Sequence, residues 1–407
     1  MFSSRLYIVL VVCKDSKVLK KGQAATNMMH RLPREVVVHI LSRLPLTSLL
    51  NSKLVCRAWR TLTQDPFLIS NHLSHLAEAG NDPSFILQSN WPIPDQRHFI
   101  DFFDHSEGKV ISKKLPTSTP PMHLVDSCNG LLCMSYNSRN LYICNPFTGL
   151  CIELPRLVQY PSKLGLLGFG FHQTRKEHKV IQIVFRRKLK RDHPNEDPST
   201  LIQSEVQILT IGTPSWRTLE TIPYRFKKSA SKALVNGRFH WLLDPNKYTM
   251  ASLLVSFDLE TEQFQEVPKP DCCGSDMCLR HLLVVRGCLS AGAFHDDDGR
   301  LEIWVMKEYG VKESWIKEFR IGSYLPPTLI QQQTRHHFSY SRHNFPNLFA
   351  RVLHVLRSGE ILLEYKRRAL VVYDPQCETF KEFTFPEMPA HWFKIIVHVG
   401  SLNWLEN

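Results

Sequence analysis

The sequence predicts an α+β multidomain protein, a small all-α module followed by a large all-β domain, and three observations carry that prediction. Apolar residues recur at helical spacing across residues 32–73. Beyond Glu78 that period stops, and Pro, Gly and Asn clusters begin to separate short apolar runs of strand character. Within this second region one phrase recurs: a strand ends near an Asp or Asn, a tight turn follows, and an apolar anchor opens another extended run.

Taken in order, residues 1–27 form an N-terminal extension. Its apolar run, Leu6 to Cys13, is eight residues long, too short for a bilayer, which takes about 20. No small-residue cleavage site directly follows it, so a cytoplasmic or nuclear protein is expected, with no membrane partner.

Residues 28–78 form the helical module. Val36, Val37, Ile40, Leu41 and Leu44 share one helical face, and Leu54, Val55, Ala58, Trp59 and Leu62 share another with the same offsets. Pro33 stands at a first helical turn, Pro45 ends that helix, and Asp65-Pro66 reads as an N-cap followed by a proline at the first helical position. A module near 40 residues usually needs a disulfide, a metal or a partner to hold together, so apolar surface is left over for a partner.

Residues 79–83 are a linker, 84–400 the β domain and 401–407 a C-terminal tail. The clearest copies of the recurring phrase start at Asn145, Asp258 and Asp374, and the anchors Cys151, Phe264 and Phe380 each follow six residues later. A side-chain oxygen at the first turn position can accept the backbone N–H two residues on, which favours this bend. With looser copies at Val110, Trp216 and Trp315, the anchor spacings are 41, 65, 48, 51 and 65 residues. Periods of about 40 to 50 residues belong to propeller blades, so six units are expected, a β-sandwich-like two-sheet domain being the alternative. Asn129-Gly130 and Asn236-Gly237 read as tight turns, and Trp216, Trp241 and Trp315 as packing between blades.

The remaining chemistry is sparse. Eleven cysteines, mostly in apolar runs without metal-ligand spacing, read as reduced core residues; Cys272, Cys273 and Cys278 lack a second CxxC or a His pair. No catalytic motif appears among the 19 histidines, and neither a metal nor a cofactor is expected. Asp296-Asp297-Asp298-Gly299 reads as a hairpin turn, and His336-His337 as part of a polar loop. A net charge of +12 and pI near 9.2 would suit an acidic partner. Lys366-Arg367-Arg368 is a second basic run, yet the run at 186–191 continues into a polar, Pro-containing loop and lacks interleaved aromatics, so nucleic acid is not expected as a partner.

Two resemblances follow from named strings. Leu32-Pro33, Leu44-Pro45 and Val55-Cys56-Arg57-Ala58-Trp59-Arg60 resemble an F-box over 32–73. Cys128-Asn129-Gly130-Leu131-Leu132-Cys133, Leu141 to Gly149, Gly168-Phe169-Gly170-Phe171, Lys179 to Val184, Ser215-Trp216-Arg217 and Val235 to Leu242 resemble the plant F-box-associated domain, with good coverage from about 120 to 270. The first resemblance implies docking onto a Skp-family adaptor and through it a cullin-based ubiquitin ligase, with Leu32, Pro33, Ile40, Leu44, Pro45, Val55 and Trp59 forming or supporting the adaptor face. The second implies a kelch- or propeller-like module that presents an unknown protein target. Such a protein is not an enzyme; it raises the local concentration of target near a ubiquitin-loaded enzyme. Target contacts are expected on loops at one rim, the rim itself being unspecified. The rivals are an interaction protein acting outside a ligase, a basic nucleic-acid binder, and a propeller enzyme with a polar site in its channel, against which the innermost strands read as apolar.

Overall fold

The computed structural model of the protein describes residues 32–78, 82–90, 95–104, 109–115, 121–137, 139–157, 165–187, 202–219, 222, 224, 226, 232–243, 254–271, 277–295, 298–329, 350–385, 387–389 and 392–402. The extension at 1–27, Cys272, Cys273, His336, His337 and basic residues 188–191 lie outside these residues.

Among the described residues four helices come first: α1 (Arg34–Leu41), α2 (Leu46–Ser52), α3 (Arg57–Leu62) and α4 (Pro66–Glu78). Pro33 and Pro45 both stand at N-caps with φ −54°, the dihedral their rings impose. Pro45 therefore opens α2 instead of ending α1, which has stopped at Leu41. The i→i+3 bonds Arg43 N–H to Ile40 O and Leu44 N–H to Leu41 O tighten the chain there, since the residue before a proline resists the α region. Cys56 caps α3, its Sγ accepting the Trp59 N–H at 3.5 Å. Asp65 Oδ1 accepts the Phe67 N–H at 2.9 Å ahead of α4, the expected cap.

The strands form six antiparallel four-stranded sheets. The first joins β1 (Ser84–Ser89), β2 (Gln96–Asp104) and β3 (Lys109–Leu115) to the last strand, β24 (Phe393–His398). The second holds β4 (His123–Cys128), β5 (Leu131–Ser135), β6 (Leu141–Cys144) and β7 (Cys151–Glu153). The third holds β8 (Gly165–His172), β9 (Glu177–Arg187), β10 (Ile202–Thr210) and β11 (Arg217–Thr218). The fourth holds β12 (Lys232–Val235), β13 (Arg238–Leu242), β14 (Leu254–Asp258) and β15 (Phe264–Glu266). The fifth holds β16 (Met277–Val285), β17 (Cys288–His295), β18 (Leu301–Met306) and β19 (Trp315–Ile321). The sixth holds β20 (Ala350–Val355), β21 (Ile361–Tyr365), β22 (Ala369–Asp374) and β23 (Thr379–Phe383).

This is a six-bladed propeller rather than a two-sheet sandwich, and the ring closes where β24 pairs with β1, Phe85 opposite Val397 and Ser89 opposite Phe393. Each anchor marks a blade's outermost strand: Val110 lies in β3, Cys151, Phe264 and Trp315 open β7, β15 and β19, Trp216 precedes β11, and Phe380 lies in β23. The turn chemistry is the expected one. Asn145 Oδ1 accepts the Phe147 N–H at 2.8 Å, Asp258 Oδ1 the Glu260 N–H at 2.7 Å, and Asp374 Oδ1 the Gln376 N–H at 2.8 Å. Asn129-Gly130 takes φ values of 48° and 80°, the left-handed pair of a type I′ hairpin.

Indole N–H groups stitch neighbouring blades, Trp216 Nε1 donating to Pro155 O at 2.8 Å and Trp315 Nε1 to Pro268 O at 2.9 Å. Trp241 is fully buried between the third and fourth blades. One cysteine expectation is corrected. Cys144 and Cys151 lie opposite each other on β6 and β7 and are disulfide-bonded, a cross-strand pairing that spacing along the chain did not suggest. Cys128 and Cys133 are buried free thiols, and burial pushes the Cys133 pKa up to about 12.

Strands β4, β8, β12, β16, β20 and β24 are innermost. They run in one direction, so their starts lie on one rim together with the turns between second and third strands. Their ends lie on the other rim, together with Asn129-Gly130 and the Asn145 turn. The helices sit on this second rim.

Candidate functional site

The helical module builds its own core from Val37, Val38, Leu41, Leu44, Leu46, Leu49, Trp59 and Leu68. The face expected over Val36, Val37, Ile40, Leu41 and Leu44 is divided: Val37, Val38 and Leu41 point inward, Ile40 is half-buried, and Val36 is 40% exposed. Of the residues assigned to an adaptor face, Leu32 and Pro33 are exposed, Ile40, Pro45 and Val55 are half-buried, and Leu44 and Trp59 are buried within the module. The apolar surface also includes three residues outside that set, Val36, Leu54 (72% exposed) and Phe67 (61% exposed). Leu54 and Val36 belonged to the two helical stripes; which member of a stripe turns outward depends on tertiary packing, and Phe67 carried no comparable signal.

The module is anchored to the propeller through the segment after β24. Leu402 and Phe147 join the helical core, and a Cβ on Gly400 would collide with Leu46 Cδ2. Ser401 Oγ donates to Asn129 O at 3.2 Å, and Asn145 Nδ2 donates to Ser401 O at 3.0 Å. Ser401 and Leu402, expected in a tail, are therefore buried joint residues. The reason is geometric: β24 ends on the helical rim, which brings the chain after it under α2.

The second feature is the channel wall. The innermost strands are not uniformly apolar, as their hydrophobic runs suggested; they carry Asp126, Lys232, His281, Arg351 and Lys394. An innermost strand leaves one backbone edge unpaired, and these side chains satisfy it across blade boundaries. Lys394 Nζ on β24 donates to Leu124 O at 2.7 Å and to Val125 O at 3.1 Å, at the bulge in β4. Asp126 Oδ2 accepts the Phe169 N–H of β8 at 2.9 Å. Lys232 on β12 reaches Leu167 O and Asp126 Oδ2, both at 2.5 Å. His281 Nε2 accepts the Val352 N–H of β20 at 3.2 Å, and Arg351 Nη2 donates to Ile395 O at 2.8 Å and pairs with Glu364 at 2.5 Å. Period counting hid this because each of these polar side chains is matched by backbone from another blade.

Among the described residues, no group of three His, Cys, Asp or Glu side chains could hold a metal ion, and no helix is long and apolar enough to cross a membrane. Asp298-Gly299 is the end of the β17–β18 turn, Gly299 at φ 73°.

A short helical module that exposes apolar residues, fixed to a six-bladed propeller with Asx turns and indole-stitched blades, defines the architecture of an F-box protein. The F-box-like family matches residues 29–74 and the F-box associated beta propeller domain family residues 85–404. The chain belongs to the F-box proteins that carry this associated propeller domain. The F-box protein At3g07870 of Arabidopsis thaliana is 41% identical over 404 residues, covering 95% of this chain and 94% of the relative. The F-box protein CPR1 of the same plant is 23% identical, covering 92% and 89%. Among solved structures, an oligogalacturonate lyase in complex with manganese overlaps 73% of this chain and 72% of its own at 9% identity, with a TM-score of 0.40. That likeness is too slight to bear on function.

Proposed function

We propose that this protein is the substrate-recognition subunit of a Skp–cullin–F-box ubiquitin ligase, acting in the cytoplasm or nucleus. Residues 28–78 dock the Skp-family adaptor, 79–83 link, and 84–400 receive a protein target. The observation that carries this reading is the helical module's divided surface: its core is complete and anchored to the propeller, yet Leu32, Val36, Leu54 and Phe67 remain exposed together with Pro33. Exposed apolar side chains on short helices suit an apolar groove, where a few anchors carry most of the affinity. Leu44 and Trp59, buried in the module's core, would support that face, and the half-buried Ile40, Pro45 and Val55 would add to it.

The chain makes and breaks no covalent bond in this role. Its contribution is geometric: anchoring at Gly400–Leu402 holds the propeller, and with it a bound target, at a set distance from the adaptor, which raises the effective concentration of target lysines. The test is capture of the full chain by purified adaptor after Val36→Asp or Leu54→Asp. Both positions are exposed, so the fold survives, and capture should weaken at least about tenfold, as expected for losing an anchor of about 1.4 kcal/mol or more. Undiminished capture by both variants would remove the assignment.

A further inference from the structure

The starts of the innermost strands lie on the rim opposite the helices, and three of them carry cations: Lys232 is the first residue of β12, Arg351 the second of β20, and Lys394 the second of β24. A fourth, Arg367, comes from the β21–β22 turn on the same rim. Its carbonyl accepts the Phe393 N–H at 2.9 Å, which holds that turn against the start of β24. Arg368 places its guanidinium 5.2 Å from the Trp392 ring, and Trp392 is 58% exposed beside it.

The charges at this mouth do not balance. Asp126 is committed to Lys232 and to the Phe169 N–H, and Glu364 to Arg351. Lys394 has three N–H donors, two of which meet the carbonyls of Leu124 and Val125. Among these described residues around Lys394, the cations Lys232, Arg351 and Arg367 outnumber the carboxylates Asp126 and Glu364, which leaves positive charge in excess in a partly enclosed site. Burial, followed by the fields of Lys232, Arg351 and Arg367, accordingly pushes the Lys394 pKa down to about 8 despite Asp126. A phosphoryl group carries about two negative charges near neutral pH and offers three acceptor oxygens. That complements both the excess charge and the Lys394 donor still available after its two backbone bonds.

We propose that the channel mouth opposite the helices is a binding site for one doubly charged oxyanion of phosphate type, held by Lys394 and Arg351, with Lys232 behind them and Arg367 at the rim. This goes beyond the adaptor reading and uses no residue of the helical module. The anion arrives free or as a phosphorylated side chain, and the experiment separates the two sources.

Full-length protein is titrated calorimetrically at constant ionic strength with inorganic phosphate, then with a Gly/Ser peptide bearing one phosphoserine, and with its unphosphorylated form. Saturable phosphate binding is expected. It should weaken at least tenfold in Lys394→Met and at least threefold in Arg367→Ala, an exposed position that leaves the fold intact. Tighter binding of the phosphopeptide than of inorganic phosphate identifies a side-chain source, and equal binding identifies the free anion. Absence of saturable binding, equal binding by wild type and Arg367→Ala, or equal binding of both peptides without phosphate binding overturns the site. Adaptor capture is measured on the same samples; its failure alone refutes the ligase role and leaves the anion site standing.

Discussion

At the residue scale, the three turn-initiating positions are not interchangeable although their turn geometry is alike. Asp374 uses its carboxylate to accept from Gln376 and Cys377, and Asp258 adds an ion pair with Arg238 at 2.8 Å. Asn145 accepts through Oδ1, but its Nδ2 also donates to Ser401 O in the joint beneath the helices. A carboxylate there would face that carbonyl without a proton to offer. Asn145→Asp should therefore cost about 2 kcal/mol, the penalty for a buried acceptor left unmet beside a charge. Asp374→Asn should stay within about 0.5 kcal/mol, since either side chain satisfies the turn. Urea denaturation of the two variants checks this; equal losses would show that Asn145 does no more than shape its turn.

At the element scale, the joint between helices and propeller rests on backbone closeness at one glycine. A side chain at Gly400 meets Leu46 and Phe147, so Gly400→Val should prise the helices from the rim while leaving the blades paired. Calorimetry should then resolve two transitions where the parent shows one, and a single transition in the variant would refute the joint. The joint marks the boundary of what was legible in the sequence. Local chemistry could be read: the six-residue step from turn to anchor, the Asn-Gly hairpins and the Asp65-Pro66 cap each depend on neighbours in the chain. Features made by distant partners could not. The Gly168-Phe169-Gly170-Phe171 string was visible as a motif, but its reason is that Phe239 of the next blade lies 3.0 Å from where a Cβ on Gly168 would be and 2.9 Å from one on Gly170. The split helical face, the buried Leu402 and the charges along the channel escaped for the same reason.

At the scale of the whole molecule, a ring of blades is only as stable as its joints, and several of these depend on neutral histidines. His240 Nε2 meets Tyr309 Oη at 2.8 Å between the fourth and fifth blades, and His281 accepts the Val352 N–H between the fifth and sixth. His398 Nδ1 meets Ser127 Oγ at 2.8 Å between the first and second, and His178 is enclosed by Phe169 and Phe171 in the third. Burial lowers all four pKa values, to about 4 for His178 and His240 and about 3 for His281 and His398. An unfolded histidine titrates near 6.5, so below that pH the unfolded chain binds protons that the folded one refuses, and stability falls with pH. Each histidine contributes at most about 1.4 kcal/mol per pH unit, so four acting together give about 5 kcal/mol per unit once pH is well below 6.5. Carboxylates of the unfolded chain stay largely ionised down to about pH 5, which isolates the histidine effect between pH 6.5 and 5. The melting temperature should be nearly constant from pH 8 to 7 and drop steeply across that lower window. His178→Phe keeps the ring stacking and removes one titrating group, so it should reduce the slope by about one proton's worth. A melting temperature unchanged from pH 7 to 5 would mean that these joints open to solvent and accept protons without loss.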